Sequence, residues 1–532
     1  MVLAFDVGAE PMGSPVIAFP KPYNAAVDLI DRNLVPGLAD KIAIHDDNGS
    51  YTYAEVAERV NRFAGALTAL GVCMEQRALL CLHDSIDFPT AFLGAIKAGI
   101  VPVAVNTLLT SKDYDYMLRD SRVQVLVVSA AVLESFKPIL DGQPYLKHII
   151  VSGDASGDYL AMSELMAAAS PEFKAAPTGS DDVCFWLYSS GSTGSPKGTL
   201  HLHSSLIYTA ELYAKPILGI EQSDTVYSVA KLFFAYGLGN GLTFPFSVGA
   251  TAVLMAGRPT PASVARTLRQ YRPTIFYGVP TLYGSLLSSP DMPKREELNL
   301  RRCTSAGEAL PADIGRRWTE ATGQEILDGI GSTEMLHIFL SNRPGERRYG
   351  TTGKAVPGYQ LKIVDENNAE VAPGEIGELQ VRGPTSACLY WNNREKSVHT
   401  FLGPWTRSGD KYVQSEDGYY TYCGRSDDML KVGGIYVSPF EVEASLCSHE
   451  SVLEVAIVGH ADVDELIKPK AYVVLRPGLS PSAELADALQ LHVKNQLAPY
   501  KYPRWIEFID ELPKTATGKI QRFKLRNAGS PR

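Results

Sequence analysis

Short runs of apolar, mostly β-branched residues recur between helical stretches along this chain, and nothing else in it restricts the possible folds so strongly. Val123 to Val128, His148 to Val151, Thr225 to Val229, Thr251 to Met255 and Thr274 to Tyr277 are all of this kind, each bounded by turn residues. Thr52-Tyr53-Ala54-Glu55 has capping-box spacing. It is followed by Val56, Val60, Phe63, Leu67 and Leu70 on one helical stripe, with Gly71 placed to end it. Buried strands alternating with amphipathic helices predict an α/β architecture. From Tyr359 the texture changes to hairpins. Leu361 to Val364 and Glu378 to Arg382 are separated by the turn residues Asp365-Glu366-Asn367-Asn368 and Pro373-Gly374, which predicts a β subdomain.

After Gly424 a smaller unit is expected, with helix over Pro439 to Leu446, strands at Val455 to Val458 and Ala471 to Leu475, a helix through Leu485 to Leu497 and a strand at Trp505 to Ile509. These make one small α+β domain with a single sheet. The division read from the sequence is a large domain over 1–425 and a small one over 426–532.

With 532 residues, 45% of them hydrophobic, the chain is too long for one ordinary core and amply supplied to pack several. Its 50 basic and 59 acidic residues give a net charge of −9, which offers no footprint for nucleic acid or for an anionic membrane surface. Anionic ligands must be met by local charge. Seven cysteines are scattered without a C-x-x-C pair and read as reduced thiols of a cytoplasmic protein. Met1 to Ser14 carries Asp6 and Glu10 without a basic start or a long apolar core, so it is not read as a secretory signal. The most apolar window, Ala91 to Leu109, is broken by Lys97, Gly99, Pro102 and Asn106, which suits helix, turn and buried strand better than a membrane span.

Chemistry is concentrated in Ser189-Ser190-Gly191-Ser192-Thr193-Gly194-Ser195-Pro196-Lys197-Gly198, directly after the apolar run Val183 to Tyr188. Glycines let a backbone approach an anion closely, while hydroxyls and a lysine add donors and positive charge. It is a phosphate cradle but not a Walker loop, because Pro196-Lys197-Gly198 stands where that motif needs Gly-Lys-Ser/Thr. Composition alone would also suit a flexible linker.

This loop resembles the first core motif of the adenylate-forming superfamily, which comprises acyl-CoA synthetases, firefly luciferases and peptide-synthetase adenylation domains. Further segments resemble that family's motifs in its order: Lys97 to Pro102, Gly329-Ile330-Gly331-Ser332-Thr333-Glu334, Thr406-Arg407-Ser408-Gly409-Asp410, Gly424-Arg425-Ser426-Asp427-Asp428 and Pro513-Lys514-Thr515-Ala516-Thr517-Gly518-Lys519. Within it, Lys231 to Gly239 and Glu334-Met335-Leu336-His337 look most like the benzoate-CoA ligases. The resemblance implies a large N-terminal domain with a mobile C-terminal lid, and a chemistry in which a carboxylate attacks the α-phosphate of ATP before coenzyme A displaces AMP.

Roles follow by the same resemblance. Ser190, Gly191, Ser192, Thr193, Gly194 and Lys197 hold the β- and γ-phosphates. Thr333 bonds the α-phosphate and Glu334 coordinates Mg2+, although a Glu after Ser-Thr taken alone is more often a cap, and His337 is placed on a helix following it. Asp410 accepts from the ribose hydroxyls and Arg425 adds a ribose or phosphate contact; read bare, they are a turn aspartate and a solvated interdomain arginine. Ala306-Gly307-Glu308 and Asp328-Gly329-Ile330 frame the adenine. Lys519 is the adenylating lysine, Asp427 the hinge, and Lys431, Gly433 and Gly434 line the passage for CoA.

Phe234, Ala235, Tyr236 and Gly237, with Ile330 and His337, are expected to enclose a single aromatic ring, against the bland reading that such residues are core. The expected reaction joins benzoate, or alternatively a hydroxy- or aminobenzoate, to CoA with ATP and Mg2+, in a monomer or homodimer. A peptide-synthetase module, a luciferase-type monooxygenase and a non-enzymatic nucleotide-binding protein are the rival readings. The short tail after Lys519 disfavours the first, and retention of Lys197, Glu334, Asp410 and Lys519 disfavours the last.

Overall fold

The apolar runs form the central strands of two largely parallel sheets in a computed structural model. The structure describes residues 17–154, 158–189, 195–426, 428–432, 435–462, 466–497, 499–514 and 520–528. One sheet has the spatial order Leu160–Ala161, His148–Ser152, Val125–Ser129, Arg77–Cys81, Val101–Ala104, Val183–Ser189, Lys197–Leu202. All its neighbours are parallel except the last pair, a hairpin that sets Ser189 opposite Lys197. Every residue of Val125–Ser129 is buried, as a parallel strand covered on both faces requires. The segment Ala91 to Leu109 resolves into helix Asp87–Lys97, a turn and the buried strand Val101–Ala104.

The second sheet runs Lys354–Ala355, Ile338–Ser341, Ile326–Gly331, Arg302–Ser305, Ile275–Gly278, Thr225–Ser228, Thr251–Val253, Ile42–Asp46, Gly49–Thr52. Its inner strands, from Ile326–Gly331 to Ile42–Asp46, are mutually parallel and its edges antiparallel. The predicted helix spans Tyr53–Ala69, with Thr52 and Glu55 completing a capping box. Val56, Val60, Phe63 and Leu67 are wholly buried and pack in one core with Phe88 and Phe92 of the neighbouring helix.

The hairpin region is an antiparallel sheet of Gln360–Val364, Ile376–Arg382, Trp405–Gln414, Phe401–Leu402 and Tyr420–Arg425. Beyond it, helix Pro439–Cys447 and helix Ala483–Gln496 pack with the sheet Val452–Ala461, Ile467–Leu475, Trp505–Phe508. Its terminal helix Arg522–Ala528 is fastened by a buried ion pair, Arg522 to Glu443 at 2.8 Å, which also accepts the Ile457 N–H. Tyr422 of the large unit meets Phe440 of the small one at 4.8 Å between ring centres.

Two expectations are corrected. The small unit has a second sheet, the hairpin Leu430–Val432 with Ile435–Val437, which its glycine-interrupted sequence does not announce as strands. No helix follows Glu334. Leu336 takes φ +64°, the chain reverses, and Ile338–Ser341 returns antiparallel to Ile326–Gly331, so His337 sits at a strand entrance. Among the described residues no helix is long and apolar enough to cross a membrane, and all seven cysteines are free thiols.

Candidate active site

Ligands of parallel α/β sheets gather outside the carboxyl ends of the strands, and there the sequence motifs meet. Ser189 ends one strand and Lys197 opens its hairpin partner. Ala306-Gly307-Glu308 follow Arg302–Ser305, whereas Asp328, Gly329 and Ile330 lie within the adjacent strand Ile326–Gly331. Ser305 registers with Asp328, so the two segments expected to frame the adenine are neighbours. The Asp328 side chain is buried, and that burial pushes its carboxyl well above the usual range.

Thr333 and Glu334 occupy the reversing turn. The Ser332 hydroxyl accepts the Met335 N–H at 3.2 Å, and the Leu336 N–H closes onto the Thr333 carbonyl at 3.2 Å. Gly331 has no substitute here, since a Cβ would lie 2.4 Å from the His337 carbonyl oxygen. The turn is tied to the hairpin of Val183–Ser189 and Lys197–Leu202 in two ways. His201 Nε2 donates to the Thr333 carbonyl at 2.8 Å, and burial lowers that imidazole to about 4, keeping it neutral. The segment 387–391 then bridges both elements. Ala387 N–H donates to the Glu334 carbonyl at 2.8 Å, Cys388 N–H to the Leu200 carbonyl at 3.0 Å and Trp391 N–H to the Gly198 carbonyl at 2.8 Å.

Tyr390, on this bridge, donates its hydroxyl to Glu334 Oε1 at 2.7 Å and lies under Lys197, whose Nζ is 4.2 Å from the ring centre. Burial lowers the Lys197 pKa below the ordinary lysine value; Glu334 opposes the shift, and the charges of Lys396 and Arg425 reinforce it. Several cations thus face one region, an arrangement that receives a polyanion.

Asp410 and Arg425, fifteen residues apart, are register partners on consecutive antiparallel strands. Arg425 donates to Asp410 Oδ1 at 3.1 Å and to the Ser408 carbonyl at 3.3 Å. Asp410 is buried within strand Trp405–Gln414, and its charge is the first cause raising the Arg425 pKa. Gly409 makes the approach possible by taking φ +73°.

Phe234, Ala235 and Tyr236 are half-buried at the start of the short helix Ala235–Leu238. A Cβ on Gly237 would fall 2.0 Å from the Lys231 carbonyl oxygen, so only glycine lets the strip fold back on itself. The Tyr236 hydroxyl shares a hydrogen bond with Thr304 Oγ1 at 2.6 Å and reaches the Gly278 carbonyl at 3.4 Å, which pins the strip to two strand ends. His337 is buried against Phe244 at 4.5 Å between ring centres; its Nε2 donates to the Tyr236 carbonyl at 3.3 Å, near Asn240 Oδ1 at 3.2 Å. Burial lowers it to about 3, so it is a neutral imidazole.

Ser190, Gly191, Ser192, Thr193, Gly194, Asp427, Gly433, Gly434 and Lys519 lie outside the described residues, and Lys431 stands on strand Leu430–Val432. The ends of the segment carrying Lys519 are drawn together by a bridge between Lys514 and Ile520 and by Gln521 N–H to the Pro513 carbonyl at 2.8 Å. Tyr390, His201 and Lys396 are the additions that sequence reading misses. Their partners are far away along the chain, and only the aromatic pair Tyr390-Trp391 after Gly383-Pro384 marks the place.

Among the described residues no group of three or more His, Cys, Asp or Glu side chains could hold a metal unaided. Glu334, with one oxygen hydrogen-bonded by Tyr390, is a lone carboxylate in this region, a donor set that would fit Mg2+ if phosphate oxygens and water completed the shell.

Comparison with known proteins gives a consistent set of relatives. Residues 34–391 match the AMP-binding enzyme family and residues 441–519 the AMP-binding enzyme C-terminal domain. The chain is 64% identical to a benzoate–CoA ligase of Thauera aromatica over 97% of this chain and 98% of that one. It is 49% identical to a 4-hydroxybenzoate–CoA/benzoate–CoA ligase of Rhodopseudomonas palustris over 95% and 94%. The crystal structure of a benzoate CoA ligase from Burkholderia xenovorans LB400 superposes with TM-score 0.89 at 55% identity, covering 95% of this chain and all of that one.

Proposed function

The chain belongs to the AMP-binding enzyme family, and from that premise we propose that it joins benzoate to coenzyme A. The benzoate oxygen attacks the α-phosphorus of ATP and pyrophosphate leaves, giving benzoyl-adenylate; the CoA thiol then attacks the acyl carbon and AMP leaves, giving benzoyl-CoA. Near full-length likeness to benzoate–CoA ligases carries this reading.

The site residues supply what the first step demands, charge neutralisation arranged before reaction. Lys197 and the loop before it receive the β- and γ-phosphates, with Lys396 and Arg425 deepening the positive field. Thr333 orients the α-phosphate, its backbone fixed by neutral His201. A Mg2+ ion held by Glu334 and phosphate oxygens would neutralise charge on the polyphosphate. Asp410, locked by Arg425, takes the ribose hydroxyls, and the Ala306 and Gly329 segments flank the base. Phe234, Ala235 and Tyr236 wall the ring, with the neutral His337 behind Tyr236 leaving no cation in an apolar slot. Lys519 joins substrate carboxylate to α-phosphate. Rotation at the hinge Asp427, two residues past Arg425 at the start of the small domain we assign to 426–532, then presents Lys431, Gly433 and Gly434 to CoA. Free thiols suit a reducing compartment, and we place the enzyme in the cytoplasm.

The test is AMP release with CoA across benzoate, hydroxy- and aminobenzoates and short aliphatic acids. Benzoate should give the highest kcat/KM; an aliphatic acid in first place would overturn the assignment.

A further inference from the structure

Lys197 and Glu334 belong to different sheets and carry opposite charge, yet both must face one polyphosphate. Left to themselves, a lysine and a carboxylate in such proximity would collapse into an ion pair and close the place where phosphate and metal belong. The structure puts an aromatic ring with a hydroxyl between them. Tyr390 is 2% exposed, and Phe401 backs its ring at 5.2 Å between centres. Backbone pairing of Tyr390 with Thr199 fixes it to the strand that Lys197 begins. Its hydroxyl claims Glu334 Oε1 at 2.7 Å, and its face accepts the Lys197 ammonium at 4.2 Å. The phenol carries the one O–H of this contact and the carboxylate oxygen can only accept, so the hydroxyl is the donor.

We infer that Tyr390 is a positioning residue for the ATP–metal site, holding the metal-binding carboxylate and the phosphate-binding lysine apart and correctly aimed before nucleotide arrives. The inference rests on the assignment of Glu334 and Lys197 above. Of these two partners the hydroxyl acts on Glu334 and the ring on Lys197, so the two functions separate by substitution. Tyr390→Phe keeps the ring and removes the hydrogen bond. Tyr390→Leu removes both.

Binding is measured without benzoate, by calorimetry with ATP in EDTA and by electron paramagnetic resonance with Mn2+ and ATP. Tyr390→Phe should bind metal-free ATP as wild type does but weaken Mn2+ affinity in the ternary mixture by about tenfold, the lower range for losing a hydrogen-bond partner of a metal ligand. Tyr390→Leu should weaken metal-free ATP binding as well. The Mg2+ midpoint of benzoyl-adenylate formation should shift with the Mn2+ affinity, with benzoate KM unchanged. Unchanged or tighter Mn2+ binding by folded Tyr390→Phe overturns the inference, and should Tyr390→Leu fail to fold, Tyr390→Phe decides alone. Wild-type protein that binds ATP but shows no ATP-dependent Mn2+ binding would instead remove the Glu334 assignment.

Discussion

Ala235 stands half-buried between Phe234 and Tyr236, and in the proposed acid pocket its small side chain is what leaves room for the ring. Ala235→Leu should overfill that pocket at about 1–3 kcal/mol, a loss of roughly ten- to a hundredfold in kcat/KM for benzoate, steeper for ring-substituted fluorobenzoates, with the ATP titration unmoved. An unaltered acid profile would assign Ala235 to the core. His203 bears on stability. Buried, it accepts the Ala25 N–H on Nδ1 at 3.1 Å, and burial lowers its pKa from 6.5 to about 4. The unfolded chain therefore takes up this proton below about pH 6.5, which the folded chain refuses until about pH 4. The contribution is complete above pH 6.5 and is lost as pH falls toward 4. His203→Asn, which preserves an acceptor, should flatten the stability–pH slope in that window by about 1.4 kcal/mol per pH unit. Urea unfolding at several pH values measures this, and identical slopes would refute it.

Elements were legible where one period ruled. The capping box and the stripe Val56, Val60, Phe63, Leu67 announce helix Tyr53–Ala69 because local hydrogen bonds and one buried face agree. Gly331 to His337 is ambiguous in sequence because Ser-Thr-Glu is equally a helix cap and a tight reversal; what decides is the edge that Ile326–Gly331 offers to Ile338–Ser341. The strip Lys231 to Gly237 is governed by a contact rather than by propensity. Gly237→Ala would drive a Cβ to 2.0 Å from the Lys231 carbonyl oxygen, and the strip must shift to relieve it. Benzoate KM should rise severalfold or more and the melting temperature fall, since overpacking costs about 1–3 kcal/mol, while ATP binding at the separate phosphate hairpin persists. Unchanged benzoate KM would detach this strip from the acid site.

The large and small units are expected to divide the two half-reactions between them. Lys519→Ala should lower benzoyl-adenylate formation by several orders of magnitude, as expected for removing a cation placed at developing charge, yet still convert synthetic benzoyl-adenylate and CoA to thioester. Asp427→Pro, with φ fixed near −65°, should show the reverse, because a hinge must absorb a large backbone change at few residues. Stopped-flow measurement of each half-reaction separates them, and equal loss of both steps in either folded variant contradicts its role.

Chemistry class and most elements are legible along the chain, because glycines, hydroxyls and a lysine within one short loop, or a helical stripe, are local patterns whose meaning depends on neighbours a few residues away. The partnerships arise from the folded arrangement. Asp410 meets Arg425 through strand register, His201 reaches Thr333, and Tyr390 stands between Lys197 and Glu334. Asp410 and Arg425 are hairpin partners within one antiparallel sheet, whereas His201 with Thr333 and Tyr390 with Glu334 join segments 132 and 56 residues apart. Charge and hydrogen-bond energies depend on distance in space, which periodicity along the chain does not encode.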